Sequence, residues 1–456
     1  MIQFIVKMLQ HHKTISLLGL ILIFSVITAC QAPDQNTIVD RTIPMDGEVT
    51  SATSTIGIAF LEPMNTASVE EVFSISPQVD GTFTWDENTL WFNPNQAFTP
   101  DTTYEVKLRG ELINREGKII PVNVNWDFII REPELLYYQL TGMWGELWRA
   151  TAEGQDQRPL TESDGRVIDF TTDPAGDTIV FSLINDVEGS DLWLMDRVGH
   201  QQRLLIHCQR DICREPSWSR NQTQIAYTRE SFNPETGGFI SSQIWIGDTV
   251  TGETNQLDRD GVAIGHSPSF SPDGNKLAYY DLEQLGIRVI DLPSSRQFFF
   301  PSEVHNSGDW SPDSTKIIFT NIMPAAHEPF VEIYVADLAT QEVTPAFTNP
   351  VLDTEFSQPR WSPVDSWVAV ALRPVNSGIS KALWALRLGS ERQRLIEDEP
   401  SATFSAYQWD PWGQRLVYQR LELGISPSRI SIWMWDWESG QSRQIIENGG
   451  RPLWLP

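Results

Sequence analysis

One phrase limits what this chain can fold into more than anything else in it. Residues 267–281 read SPSFSPDGNKLAYYD, and looser copies recur to the end: VIDFTTDPAGDTIVFSL (167–183), EPSWSRNQTQIAYTR (215–229), SGDWSPDSTKIIFTN (307–321), QPRWSPVDSWVAVAL (358–372) and AYQWDPWGQRLVYQR (406–420). Each copy has alternating residues leading into one aromatic, then a turn, then a β-rich run. In Ser271-Pro272-Asp273-Gly274 proline presets φ at the second position of a type I turn and glycine suits the fourth. LAYYD is a second strand, GIRVIDL a third and RQFFF a fourth. A repeating unit of four antiparallel strands predicts one blade of a β-propeller.

The ends of the repeat set the blade count. GGRPLWLP (449–456) reads as a first strand that stops where its turn should begin, and residues 135–161 read as a unit lacking its first strand. Trp454 therefore completes a blade opened at Leu135, and the ring closes with strands from both ends. The first-strand aromatics then stand at 170, 218, 270, 310, 361, 409 and 454. That spacing predicts seven blades; if the last strand is stray, six remain. The repeat resembles the TolB-like, WD40-like propellers of bacterial periplasmic proteins over roughly 133–456, which implies an all-β fold and leaves function open.

Residues 43–132 have a different texture, with short alternating runs such as GTFTWDENTLWFNP and TTYEVKLRG, and one helical candidate, SVEEVF. These predict a small antiparallel sandwich. PMDG (44–47), residues 58–77, GTFTW (81–85), residues 90–106 and WDFII (126–130) resemble bacterial Ig-like domains, which implies a spacer or adhesive module. Glu62, Asp86 and Glu87 are conceivable calcium ligands there, but read more simply as loop carboxylates in water.

Ahead of the sandwich, Lys7 and Lys13 precede an apolar run from Ile15 to Thr28, and Ala29 sits before Cys30. A basic start, a short apolar core and a small residue at the cut predict a secretory signal over 1–29. The run falls short of the roughly 20 residues that span a bilayer. Ile27-Thr28-Ala29-Cys30 resembles the lipobox of bacterial lipoproteins, which implies lipid on Cys30 and an anchor in a membrane. The alternative is an uncleaved helix with a chance cysteine. Polar residues 30–42 then read as a tether.

With Cys30 lipidated, Cys208 and Cys213 are the remaining cysteines, and outside the cytoplasm such a pair is expected to form a disulfide. A metal pair is the rival reading, but the roughly four ligands it needs are not in view. The net charge of −27 repels phosphate backbones and argues against nucleic acid.

A search for chemistry finds little. The nearest nucleophile elbow, Gly265-His266-Ser267-Pro268-Ser269, lacks the final glycine and falls in a first strand. Asp173, Asp273, Asp313 and Asp365 recur in the turns, where aspartate hydrogen-bonds its own backbone. One column invites a functional reading. Asp169, Ser217, Ser269, Asp309, Arg360 and Gln408 each stand directly before a first-strand aromatic, and Leu453 is the exception. They are candidates to ring a ligand at the channel rim; equally, they can hydrogen-bond one blade to the next. The expectation is a monomeric, non-catalytic envelope lipoprotein without cofactor. Its propeller, on an Ig-like stalk, binds an envelope protein or a cell-wall or surface polymer. The alternatives are a carboxylate-dependent glycan or peptide hydrolase at the propeller mouth and a sensor of a small ligand.

Overall fold

The computed structural model describes residues 38–140, 145–257, 263–323, 330–347, 354–374, 380–390, 392–426 and 428–456. The predicted signal and Cys30 lie outside the described residues.

The sandwich consists of two four-stranded sheets. One runs Val39–Ile43, Ile56–Phe60, Thr89–Pro94, Gly81–Asp86 in spatial order, and the other Glu48–Thr50, Ile119–Ile130, Thr103–Ile113, Phe73–Ser76. Alternation along Ile119–Ile130 buries Val122, Trp126, Phe128 and Ile130 against Ile56, Ile58 and Leu90 of the facing sheet. The helical candidate is the helix Thr66–Val72, capped by Asn65, whose Oδ1 accepts the Ser68 N–H at 3.2 Å. The domain starts earlier than its texture suggested. Val39–Ile43 pairs with Ile56–Phe60 and Ile38 is buried, so the last residues read as tether belong to the sheet. Glu62 accepts a hydrogen bond from Asn114, while Asp86 and Glu87 are exposed at a hairpin turn.

From Glu134 onward the described strands run in successive four-stranded antiparallel groups, apart from the short hairpin of Phe232–Asn233 with Gly238–Phe239 and one group whose first strand is in two pieces. Blade 1 takes Gly449–Leu455 as its first strand, followed by Glu134–Leu140, Gly145–Thr151 and Arg158–Pro159. Blades 2, 3 and 4 begin at Val167–Thr172, Ile212–Trp218 and Gly265–Phe270. Blades 5, 6 and 7 begin at Asp309–Trp310, Thr354–Phe356 (resumed at Arg360–Trp361) and Ala402–Trp409. The tail pairing on which the count of seven rests is present: Leu453 lies opposite Leu136 and Trp454 opposite Leu135.

The turn after each first strand shows why the phrase was written. The N–H of Gly176, Gln222, Gly274, Ser314 and Gly413 each bonds back to the carbonyl three residues earlier, and all five take positive φ. Glycine fills three of these positions because it occupies that region without a Cβ penalty. At Gly274 a Cβ would also meet Arg220 at 2.8 Å. The aromatic ahead of the turn wedges between blades: Phe170, Trp218, Phe270, Trp310, Trp409 and Trp454 are buried, and Trp361 is half-buried.

Antiparallel pairing places the turns after first strands on one face of the disc, the turn face. Connections between second and third strands, and from blade to blade, lie on the other, the connection face. The Ig-like unit meets the turn face. Thr53 donates to the Pro174 carbonyl, the Trp412 indole N–H donates to the Phe98 carbonyl, and Arg131 reaches the carbonyls of Ala175 and Pro456 and the carboxylate of Asp177. Asp173, 2% exposed beneath this contact, accepts the N–H groups of Asp177 and Thr178. Burial pushes its carboxyl up to about 6.

Two predictions follow from this packing. Trp454→Ala should cost about 3–5 kcal/mol of stability, and deletion of 449–456 more, because blade 1 loses its innermost strand; urea unfolding followed by tryptophan fluorescence reads both. Asp173→Asn keeps the oxygen that accepts both N–H groups but cannot ionise. A carboxyl raised in the fold contributes stability that is full below pH 4 and lost as pH rises through about 6. The variant should therefore exceed the parent at pH 7.5 by at most about 3 kcal/mol, with the gain vanishing towards pH 4. A gain that grows on acidification would refute the assignment.

Candidate functional site: the charged inner strands of blades 1 to 4

First strands interrupt their pairing at the same place. The register shifts between Arg214 and Ser217, His266 and Ser269, Ser405 and Gln408, and Gly450 and Leu453. The residue three before the aromatic is left-handed in each: Glu215, Ser267, Ala406 and Arg451. Such a bulge re-aims a side chain out of the regular alternation. Pro216, Pro268 and Pro452 follow three of them, at a point where the ladder does not need an N–H.

These bulges assemble a line of charge. Arg451 lies over the rings of Tyr138 and Phe170, at 5.3 and 5.2 Å, and pairs with Asp169 at 2.5 Å. The other oxygen of Asp169 accepts the N–H of Glu215 at 2.8 Å. Glu215 accepts the Ser267 N–H at 2.7 Å and the Thr228 hydroxyl at 2.8 Å, and pairs with Arg214, which also holds Glu230. Burial opposes the charge on Arg214, yet the Glu215 and Glu230 carboxylates outweigh it and hold the guanidinium above its usual range. For Arg451 burial is likewise overcome, here by Asp169. Burial pushes the Tyr138 hydroxyl up. Beyond Glu215, His266 stacks on Tyr280 at 5.3 Å and Tyr280 on His305 at 4.8 Å; burial lowers His266 from its ordinary value.

The column read as a possible ligand rim is used for joining blades. Asp169 binds blade 3 through Glu215 N, and Ser217 Oγ accepts the Phe270 N–H of blade 4 at 3.1 Å. The Ser269 carbonyl accepts the Trp310 indole of blade 5. Asp309 accepts the Trp361 N–H of blade 6 and pairs with Arg360 at 3.2 Å. The carbonyls of Arg360 and Gln408 accept the indoles of Trp409 and Trp454. Leu453, which has no polar side chain, is relieved by Arg451 at the junction of blades 1 and 2. Asp169, Ser217 and Asp309 thus reach the next blade through their side chains, and Ser269, Arg360 and Gln408 through their carbonyls, because the first strands pack edge to edge around the axis.

The bulge residues were missed by sequence reasoning, although proline two places before the aromatic, at 216, 268, 359 and 452, was the available signal. Cys208 and Cys213, both buried, are bonded to each other at the junction of blades 2 and 3, with Cα atoms 6.3 Å apart. Among the described residues no group of three or more His, Cys, Asp and Glu is placed to hold a metal ion. A notch of about 120 Å³ lies between blades 6 and 7, lined by Ser357, Gln358, Arg360, Phe404, Ser405 and Tyr407.

The charged line predicts a specific stability pattern. Arg451→Ala should cost about 2 kcal/mol by leaving the Asp169 carboxylate, 13% exposed, without its cation. Arg451→Lys should recover only part, because an ammonium does not stack on the two rings as a guanidinium does. Full recovery by lysine, measured as a urea midpoint, would show that the stacking contributes nothing.

Comparison with known proteins gives the two units different standing. Residues 34–129 match the bacterial Ig-like domain family model. No curated protein matches the chain. Among solved structures, TolB from Acinetobacter baumannii is 16% identical, covering 84% of this chain and 83% of that one, with a TM-score of 0.41. The β-propeller domain of the Trilobed protease from Pyrococcus furiosus is 14% identical, covering 76% and 93%, at 0.47. An oligogalacturonate lyase from Vibrio parahaemolyticus is 14% identical, covering 62% and 73%, at 0.42. Residues 34–129 thus carry the match to the bacterial Ig-like domain family, and the described strands beyond them form the blades of a β-propeller by their own pairing.

Proposed function

We propose that this is a non-catalytic lipoprotein of the bacterial cell envelope, whose seven-bladed propeller presents its connection face to an envelope protein or a surface polymer. The observation that carries this reading is the seat of the Ig-like domain. The hydrogen bonds and the ion pair between the two units all lie on the turn face, so the stalk and the connection face point in opposite directions. A tether leading from Cys30 into the sandwich would hold the disc with that face turned away from the attachment point.

The chemistry of the inner strands supports binding over catalysis. Asp169 and Glu215 each bear a guanidinium partner, as does Glu230 on the neighbouring second strand. A glycosidase pair needs one carboxyl kept protonated and another kept free. The notch beside Tyr407 favours a second reading, a small polar ligand held between blades 6 and 7. No described helix is long and apolar enough to cross a membrane, and in this reading attachment depends on Cys30.

Cys30→Ser should move the protein from the membrane fraction to the soluble fraction, read by immunoblot after fractionation. Unchanged retention would favour an uncleaved apolar segment as the anchor. For the platform itself, photo-crosslinkers placed on the connection face of the full-length protein should capture a partner in cells, and those on the turn face should not. The reverse pattern would defeat the reading.

A further inference from the structure

Blade 3 carries a feature seen in no other blade among the described residues. The connection between its second and third strands forms a hairpin of its own, with Phe232–Asn233 paired to Gly238–Phe239. The loop entering the same blade is closed by the Cys208–Cys213 bond. These two pieces are built into one projection on the connection face. Asp211, inside the disulfide loop, accepts the Phe232 N–H at 2.9 Å and pairs with Arg229 at 2.8 Å. Arg210 lies 3.8 Å over the Phe232 ring, and Phe232 meets Phe239 edge-on at 5.7 Å. The loop is held from behind as well. The Asn185 amide donates to the Gln209 carbonyl, Ser190 N–H to the Asp211 carbonyl, and Cys208 N–H to Asp191.

The surface of this projection is unlike the acidic chain around it. Phe239 and Ile240 are 44% and 48% exposed, and Val187 on the adjacent turn of blade 2 is 49% exposed. Arg210 is exposed and, among the described residues, forms no ion pair, although the chain carries a net −27. Its neighbour Arg229 is neutralised by Asp211, so the difference between the two cations is local. A stacked guanidinium keeps its edge donors for a planar acceptor, and a carboxylate matches them in the plane. Aromatic residues and arginine are also the side chains that carry most binding energy at protein interfaces.

We propose that this projection is the docking site for a protein segment bearing a carboxylate flanked by apolar side chains. The carboxylate pairs with Arg210, and the apolar side chains cover Phe239 and Ile240. The disulfide loop holds the site rigid, which reduces the ordering cost of binding. This inference rests on the reading of the connection face as the partner face.

The test uses the full chain. Short displayed peptides selected on it should be rich in Asp or Glu beside Leu or Phe. Synthetic versions, followed by fluorescence polarisation, should bind about tenfold more weakly to Arg210→Gln and to the Phe239→Ser, Ile240→Ser double variant. Val250→Ser, on the turn face, should bind as the parent does. Thermal unfolding of each variant should match the parent, since the altered side chains are exposed. Peptides indifferent to both variants would overturn the proposal. So would polygalacturonate bound in place of peptides and lost on the same substitutions, or a change of sedimentation showing that the patch joins two copies. If the crosslinked cellular partner is retained by both variants, the platform reading stands and this site falls. If the parent crosslinks nothing on this face yet the peptides bind as described, the site stands and the platform reading falls.

Discussion

The pairing of the last strand with the first residues of the propeller governs everything else in the structure. Gly449–Leu455 lies antiparallel to Glu134–Leu140, so the two ends of a repeat some three hundred residues long share one sheet. Without that pairing blade 1 would expose the edge of its second strand and blade 7 would have no partner for the Gln408 carbonyl. An open row of blades has two unpaired sides; a ring has none. The Trp454 indole, bonded to the Gln408 carbonyl and packed with Leu135, Val417 and Met434, joins three distant parts of the chain at one point.

Closure also explains the division of labour along each first strand. The aromatic fills the wedge between blades, and the residue before it links to the next blade by a side chain or a carbonyl. Each such bond is worth about 0.5–1.5 kcal/mol net, so one junction is weak and the circuit is strong only together. The bulge three places ahead of the aromatic removes a residue from the ladder and sends Glu215 and Arg451 where regular pleating would not. Blades 1 and 3 use that freedom for charge, while blade 4 places Ser267 there and blade 7 Ala406.

The Ig-like domain then gives the disc a direction. Arg131 grips Asp177, Ala175 and Pro456 together, tying the stalk to the closing strand and to the turn of blade 2 at once. A disc with one face occupied by its own chain differs chemically on its two sides. The turn face buries a carboxyl, Asp173, under the domain contact, while the connection face displays Phe239, Ile240, Leu285 and Ile425 at its hairpin tips.

Much of this was legible in the residues themselves. The recurring aromatic, the Pro-Asp-Gly turn and the alternation that follows describe a four-stranded unit, because turn chemistry and side-chain period are local properties. The truncated unit at each end even indicated how the ring closes. Alternation alone, however, puts the residue before each aromatic on the opposite face without saying what that face meets. Only packing showed that Asp169, Ser217 and Asp309 meet the next blade, since a junction involves residues about fifty positions apart. The bulges escaped for the same reason: a shift of register belongs to two strands together, not to either alone. The tether was misjudged because Val39–Ile43 is polar on one side and gains its place only from the partner strand Ile56–Phe60. What the chain decides by itself is the unit and its repetition; what a side chain touches is decided only once the units are brought together.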